Sequence, residues 1–201
     1  MADAREQITG VVLAGGRGRR MGGADKGLVE FQGRPLAAYA LDALRLAAGP
    51  ILINANRNRE AYARLGFPVV ADRTDSFDGP LAGLLSALEA AQTEYVLTVP
   101  CDCPLIDGRL LWRLHDRLVA EKAEICAAHD GGRIQPMFLL VRCRLAEDLA
   151  AYLTSGQRKV ETWLKAHRLA LADYRDHPQL FANANTLEEL ADLATSGSRA
   201  W

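Results

Sequence analysis

An apolar run that favours a β-strand, residues 8–13, leads directly into a segment rich in glycine and arginine. Glycines at positions 15, 16, 18, 22 and 23 let the backbone approach a ligand closely and adopt positive φ, so that successive N–H groups can converge on an anion. Arginines at positions 17, 19 and 20, together with Lys26, add positive charge. This order of strand, glycines and cations predicts a phosphate-binding loop rather than a solvated basic turn.

Hydrophobic periodicity then restricts the fold class. Short, nearly continuous apolar runs at 8–13, 51–53, 69–71 and 95–99 alternate with helical patterns at 35–47, 57–65 and 81–91. Strands of this kind are usually covered by helices on both faces. The later elements predicted are helices near 108–122, 144–153 and 160–166, strands at 125–128 and 137–141, and a closing helix after Thr186. We therefore expect an α/β fold, a three-layer, doubly wound, mostly parallel sheet.

The size and charge of the chain limit what it can bind. Its 201 residues contain no long linker or repeat, so one domain over 1–201 is expected. A net charge of -1 and a pI near 6.4 argue against nucleic acid or a membrane as partner, and any anion bound by the basic loop should be small. Four scattered cysteines and an N-terminus without a secretory pattern predict a reducing, cytoplasmic location.

Polar residues follow three of the predicted strands at the points where these strands end. Asn54 follows the second apolar run, Asp72 follows the third, and Asp102 lies between two prolines after the fourth. Asp and Asn can end a strand for structural reasons alone, by bonding the following turn. Open α/β sheets, however, bind ligands at the carboxyl ends of their strands. Three such residues and a glycine loop at one edge favour a ligand site.

The glycine loop lacks both the Gly-Lys-Ser/Thr end of a P-loop and the early helix start of a dinucleotide fingerprint. It resembles the signature Leu-Ala-Gly-Gly-x-x-x-Arg-Met, followed by Lys, of nucleotidyltransferases with the nucleotide-diphospho-sugar transferase fold. Residues 20–28, Arg-Met-Gly-Gly-x-Asp-Lys-Gly-Leu, are most similar to the molybdenum cofactor guanylyltransferases. The three strand-end residues and the Gly-Pro-Leu-Ala-Gly run at 79–83 extend this resemblance, and the stretches 129–136 and 183–186 do so more thinly.

The resemblance implies transfer of GMP from GTP to molybdenum-molybdopterin, with release of pyrophosphate and formation of the molybdopterin guanine dinucleotide cofactor. It implies GTP, a molybdopterin acceptor and Mg²⁺ as ligands, and it admits cofactor-delivery proteins and molybdoenzyme chaperones as partners. On this interpretation the domain has a nucleotide half, about 1–105, and an acceptor half, about 106–201.

The residues expected in the site fall into three groups. Those expected to bind the nucleotide are Leu13, Ala14, Gly15, Gly16, Lys26, Asn54, Asp72 and Asp102. Lys26, Arg20 and a magnesium ion held by Asp102 are the catalytic groups expected to neutralise the negative charge that develops on the phosphoryl oxygens during transfer. Those expected to meet the acceptor are Arg158, Lys159, Asn183 and Asn185. A solvated helix face is an equal interpretation of the Arg-Lys pair.

Other functions stay open at this level. Cytidylyl transfer to molybdopterin and nucleotidyl transfer to sugar phosphates use the same fold, and the identity of the base depends on resemblance alone. A non-catalytic nucleotide-binding regulator is disfavoured because it has no need of Lys26 and Asp102 for neutralising transition-state charge. Zinc at Cys101 and Cys103 is also disfavoured, since no second Cys or His pair lies at ligand spacing.

Overall fold

The computed structural model describes residues 3–15, 25–73, 79–184, 186, 188–191 and 193. Within these ranges the strands are β1 (Ile8–Leu13), β2 (Glu30–Phe31), β3 (Arg34–Pro35), β4 (Ile51–Asn54), β5 (Val69–Val70), β6 (Tyr95–Pro100), β7 (Ile125–His129), β8 (Ile134–Arg142) and β9 (Leu169–Asp173). The α-helices are α1 (Leu36–Arg45), α2 (Arg59–Ala63), α3 (Pro80–Ala90), α4 (Gly108–Ala120), α5 (Ala146–Thr154) and α6 (Val160–Lys165). Residues 188–191 are also helical, in agreement with the closing helix expected after Thr186, and the Glu189 N–H donates to Thr186 Oγ1 at 3.1 Å, a capping bond.

Seven of the described strands form one sheet in the order β5-β4-β1-β6-β8-β7-β9. Neighbouring strands are parallel except at β8, which is antiparallel to both β6 and β7. From β1 the chain builds outward through β4 and β5, and then returns to the other side of β1 at β6. The predicted doubly wound, mostly parallel sheet is thus confirmed.

The sequence pattern did not predict β9 or the hairpin of β2 with β3, and the strand that it predicted at 137–141 is shorter than β8. In β9 Ala170 and Ala172 are buried, whereas Leu171 is 39% exposed. The larger side chain therefore faces outward, and the strand depends on its pairing with β7 rather than on an inward apolar pattern. The first residues of β8 pair with β7 beyond a register shift between Ala127 and Ala128, which local periodicity does not reveal.

Helices cover both faces of the sheet and produce the predicted three layers. On one face, residues of α1 and α4 share one core cluster with Ile8 and Val12 of β1. On the other face, residues of α3, α5 and α6 share a second cluster with Val11 and Leu13 of the same strand. This alternation follows from the two-residue period of a β-strand. None of the described helices combines the length and apolarity needed to cross a membrane.

The carboxyl ends of four parallel strands meet at one edge of the sheet. Leu13, at the end of β1, is in register with Asn54 of β4 and with Pro100 of β6, and Asn54 is in register with Val70 of β5. The segments that follow these strands therefore leave the sheet side by side. Since strand order reverses between β1 and β6, this edge is the place where open α/β sheets bind ligands.

The contact between α1 and α4 depends on glycine. A Cβ added at Gly108, the first residue of α4, would overlap the backbone carbonyl of Ala43 in α1. We expect Gly108→Ala to lower the free energy of unfolding by about 1–3 kcal/mol, because neither helix backbone can move without disturbing the core. Urea denaturation measures this change. Gly132→Ala is the control, since a Cβ there would have ordinary contacts; equal stability of the two variants would contradict the prediction.

Candidate active site

β1 ends at the glycine loop, whose first residues pack closely against the neighbouring strands. The Ala14 N–H donates to the carbonyl of Asn54 at 2.8 Å, and the Cys101 N–H donates to the carbonyl of Leu13 at 3.2 Å. A Cβ added at Gly15 would lie 3.1 Å from Asn54 Oδ1, so a side chain at this position would crowd that amide. The expected site residues that lie outside the described residues are Gly16, Arg20 and Asn185.

Asp72 is held by two asparagines. Asn54 Nδ2 donates to Asp72 Oδ1 at 2.8 Å, and Asn56 Nδ2 donates to Asp72 Oδ2 at 2.7 Å. The backbone N–H of Asp72 returns a bond to Asn56 Oδ1 at 2.8 Å. Both carboxylate oxygens therefore have an amide donor, which orients the carboxylate. Asn54 is 1% exposed, so its side chain supports Asp72 from within the fold.

Gly83, the last residue of the Gly-Pro-Leu-Ala-Gly run, lies against the same amide. A Cβ added at Gly83 would overlap Oδ1 of Asn54. The first turn of α3 can therefore approach the end of β4 only because this position carries no side chain. Gly15 and Gly83 together enclose the Asn54 side chain.

Lys26 and Asp102 form an ion pair between residues 76 positions apart in the chain. Lys26 begins the short 3₁₀ helix Lys26–Leu28, and Asp102 follows directly after β6 and Cys101. Their side chains are 24% and 15% exposed. Partial burial strengthens the attraction of such a pair over that of an exposed surface pair. A cation and a carboxylate are thus held together at the sheet edge where the glycine loop begins.

The carboxylate of Asp102 has further capacity to accept ligands. Its Oδ1 atom accepts from the Cys103 thiol at 3.8 Å, a weak contact. Within the described ranges, no three or more His, Cys, Asp or Glu side chains converge on a point where they could hold a metal ion. A divalent ion at Asp102 would take its remaining ligands from water and from substrate phosphates, as magnesium commonly does. The donor set therefore fits a hard divalent cation.

Cys101 and Cys103 flank Asp102 but are both buried. Burial, with a further contribution from the Asp102 carboxylate, raises the pKa of each thiol well above its usual range. Both thiols are therefore protonated at neutral pH, and neither is the thiolate that a nucleophilic cysteine requires.

The residues expected to meet the acceptor lie in two segments. The N–H of Ala184, which follows Asn183, donates to the backbone carbonyl of Asp102 at 3.1 Å, so this segment adjoins the ion pair. Arg158 and Lys159 lie in the turn between α5 and α6. β8 ends and β9 begins at the edge of the sheet opposite the carboxyl ends of the parallel strands. Because α5 follows β8 and α6 precedes β9, the turn that joins the two helices lies towards the carboxyl edge.

Arg158 also has a structural contact in this turn. Its Nη1 atom donates to the carbonyl of Leu153 at 2.6 Å, which satisfies a backbone acceptor near the end of α5. The Tyr152 hydroxyl donates to the Lys159 carbonyl at 2.9 Å. The turn is thereby tied to α5, while the Lys159 side chain is exposed.

Two residues near the site, Asn56 and Tyr62, were not identified from the sequence, and Asp25 was identified only as part of the 20–28 motif, without a role. The spacing Asn54-x-Asn56 at the end of β4 could have indicated Asn56 as a site residue, because alternate residues of an extended chain point to the same side. The hydrogen bond from the Tyr62 hydroxyl to Asp25 Oδ1 joins residues 37 positions apart, and no local pattern indicates it.

The chain matches proteins of known family over most of its length. Residues 10–174 match the model of the MobA-like NTP transferase domain. A protein of Shewanella sediminis named molybdenum cofactor guanylyltransferase is 44% identical over 188 residues, which cover 94% of this chain and 96% of that protein.

Solved structures share the fold at lower identity. Molybdopterin-guanine dinucleotide biosynthesis protein A from Archaeoglobus fulgidus superposes with a TM-score of 0.79 at 19% identity, covering 95% of this chain and 99% of that one. A Mycobacterium tuberculosis protein in complex with manganese superposes with a TM-score of 0.65 at 20% identity, covering 84% and 88%. The chain is therefore a nucleotidyltransferase and belongs to the MobA-like NTP transferase family, with the molybdenum cofactor guanylyltransferases.

Proposed function

We propose that this chain transfers GMP from GTP to molybdenum-molybdopterin, releasing pyrophosphate and forming the molybdopterin guanine dinucleotide cofactor. The observation that carries the proposal is the Lys26–Asp102 ion pair at the sheet edge where the neighbouring strands β1 and β6 end. The name of the Shewanella sediminis relative supports guanine as the base and the molybdenum cofactor as the product.

The chemistry requires stabilisation of charge rather than a covalent intermediate. An ionised phosphate oxygen of the acceptor attacks the α-phosphorus of GTP, and the bond from that phosphorus to pyrophosphate breaks. The attacking oxygen is already deprotonated, so a general base is not required. Cations and N–H groups stabilise the negative charge on the phosphoryl oxygens. We assign this role to Lys26, Arg20 and the N–H groups of Gly15 and Gly16.

Asp102 is proposed to hold Mg²⁺. Magnesium keeps much of its hydration shell and is bound by one or two carboxylates together with substrate phosphates, which suits a single partly exposed carboxylate. The ion, when bound, would neutralise charge on the phosphoryl oxygens and the leaving pyrophosphate. The manganese complex of the Mycobacterium tuberculosis protein supports a divalent ion in this fold.

Asp72 is proposed to accept hydrogen bonds from the nucleoside of GTP, with Asn54 and Asn56 holding its carboxylate in position. We expect Asn56→Ala to weaken GTP binding about tenfold, because the Asp72 carboxylate loses a donor at 2.7 Å and its N–H loses an acceptor at 2.8 Å. Titration calorimetry with GTP measures the affinity. A matching thermal melt checks the fold, and an affinity equal to that of the parent would contradict the assignment.

The acceptor is proposed to meet Arg158, Lys159, Asn183 and Asn185. We expect Lys159→Ala and Asn183→Ala to keep GTP affinity within about a factor of three but to raise the acceptor concentration needed at least tenfold, about 1.4 kcal/mol. The reason is that a cation is needed for the acceptor phosphate and amides for the pterin edge. Steady-state kinetics with varied acceptor measures this effect.

Lys165→Ala is the matched control for the acceptor prediction. Lys165 is an exposed lysine at the other end of α6, where it pairs with Glu161 at 3.4 Å. We expect the Lys165→Ala variant to need the same acceptor concentration as the parent. If the substitutions at Lys159 and Asn183 instead weaken GTP binding and leave acceptor dependence unchanged, the two halves of the domain have been assigned in reverse.

The reaction itself is tested by incubating the protein with each labelled nucleoside triphosphate, magnesium and molybdenum-molybdopterin. We expect pyrophosphate release and a joined nucleotide with GTP. A preference for CTP would indicate a cytidylyltransferase, and activity only with a sugar phosphate would indicate a sugar nucleotidyltransferase. Binding of GTP without pyrophosphate release would indicate a regulator.

We further propose that residues 1–201 form one domain and that it works in the reducing cytoplasm, where its free cysteines stay reduced. Cofactor-delivery proteins and molybdoenzyme chaperones are proposed as its partners. Pull-down of these proteins from cytoplasmic extract, with the Lys159→Ala variant for comparison, would test whether the acceptor side of the domain is the shared surface.

A further inference from the structure

The residue before Lys26 has its carboxylate bound on both oxygens. The Tyr62 hydroxyl donates to Asp25 Oδ1, and Asn58 Nδ2 donates to Asp25 Oδ2 at 3.1 Å. Both donors come from the region of α2, more than 30 positions further along the chain. We call these three residues, Asp25, Asn58 and Tyr62, the Asp25 clamp.

Tyr62 is a fixed donor in the Asp25 clamp. Its side chain is 0% exposed and lies in the core between the sheet and α1. Burial raises the pKa of the Tyr62 hydroxyl far above its usual range, and the hydrogen bond to Asp25 and the charge of that carboxylate add to this effect. The hydroxyl therefore keeps its proton and donates a hydrogen bond to Asp25.

Asn58 has an uncommon backbone conformation that serves the same contact. Its φ is 49° and its ψ is 33°, in the left-handed region, where asparagine is among the most tolerated residues after glycine. This conformation occurs at the N-terminal boundary of α2, yet the Asn58 side chain makes no capping bond to that helix. Its amide is directed instead to Asp25.

The Asp25 clamp is connected to Lys26 through a short turn. The Leu28 N–H donates to the Asp25 carbonyl at 2.9 Å, and the Val29 N–H donates to the Lys26 carbonyl at 3.2 Å. Gly27 fills the space between α2 and β6: a Cβ there would overlap the Tyr62 hydroxyl and lie 3.2 Å from the Cys101 Cβ. The backbone of Lys26 is thus held between a neighbour anchored to α2 and a neighbour packed against the end of β6.

We propose that the Asp25 clamp positions Lys26, so that the lysine ammonium is directed towards Asp102 and the triphosphate. The inference rests on the role proposed above for Lys26. Asp25, Asn58 and Tyr62 act through Lys26 and are positioning residues; none of them is assigned a contact with substrate. Loss of the clamp lets the turn shift, and the ammonium then spends less time where phosphate charge develops.

A double-mutant cycle in the full-length protein tests this proposal. We expect Tyr62→Phe to lower kcat for GMP transfer about tenfold, as the loss of one hydrogen bond to a charged group can do, with a smaller change in the KM for GTP. In a Lys26→Ala background we expect Tyr62→Phe to have no further effect on kcat, because the group that it positions is already gone. A merely structural role would lower kcat by the same factor in both backgrounds.

Tyr174→Phe is the matched control. Tyr174 is also buried, at 1% exposure, and its hydroxyl donates to the Leu110 carbonyl at 2.8 Å. The Tyr174→Phe variant should have the kcat of the parent, although its thermal stability should fall, as should that of Tyr62→Phe. Asn58→Gly adds a second comparison, since glycine keeps the left-handed backbone but removes the amide; it should reduce kcat in the same direction as Tyr62→Phe.

The outcomes separate this proposal from the proposed function. If Lys26→Ala itself leaves GTP turnover unchanged, the role assigned to Lys26 is wrong. If Lys26→Ala impairs turnover but Tyr62→Phe matches Tyr174→Phe, or if the effects of Lys26→Ala and Tyr62→Phe multiply, the positioning role is overturned while the role of Lys26 stands.

Discussion

Replacing Asp102 by asparagine should reduce GMP transfer about a hundredfold, or on the order of 3 kcal/mol, while the protein remains folded. Asparagine has the shape of aspartate but removes the negative charge that would hold a divalent ion. It also removes the charge that Lys26 now faces in the ion pair. Turnover at saturating GTP and acceptor, measured over a range of magnesium concentrations, checks this expectation.

Asp107→Asn is the matched control for this experiment. Asp107 lies five positions further along the chain and accepts from the Arg109 N–H at 2.9 Å, as the N-terminal cap of α4. Asparagine caps a helix about as well as aspartate, so turnover should be close to that of the parent. Near-normal turnover of folded Asp102→Asn at limiting magnesium would rule out the metal-binding role.

Lys26→Ala should lower turnover with GTP about a hundredfold, because a fixed cation at the triphosphate is lost. The substitution also leaves the partly buried Asp102 carboxylate without the lysine at its Oδ2 atom. Single-turnover kinetics and calorimetric GTP affinity separate an effect on the chemical step from one on binding. Lys165→Ala again controls for the loss of a surface lysine, and parent-like values for both binding and turnover in Lys26→Ala would refute the assignment.

Much of the chain up to β6 could be predicted from local sequence. The apolar period of β1, β4 and β6, and the helical patterns of α1 and α3, depend on neighbouring residues alone. The glycine loop, Lys26 and the polar strand ends could be found for the same reason, since strand termination and glycine content are local properties. In these elements local preference and tertiary packing agree, whereas the short hairpin of β2 with β3 was not predicted.

Parts of the chain after β6 and the details of the site depended on tertiary contacts. β9 could not be predicted from the sequence because Leu171 faces outward, and the first residues of β8 could not be predicted because they pair with β7 beyond a register shift. The bonds from Asn56 to Asp72 and from Tyr62 to Asp25 link residues 16 and 37 positions apart. Such pairs depend on which strands are neighbours and how far each extends, and no residue pattern encodes this locally.

The sequence by itself determined the α/β class and the family, and it predicted a phosphate-binding loop, because these depend on residue order within short segments. Only the tertiary structure decided that Lys26 faces Asp102, that Asn54 is buried behind Asp72, and that Asp25 is bound by α2. The physical reason is that side-chain hydrogen bonds and ion pairs act over about 3 Å, so they form only after the sheet order has brought distant segments together.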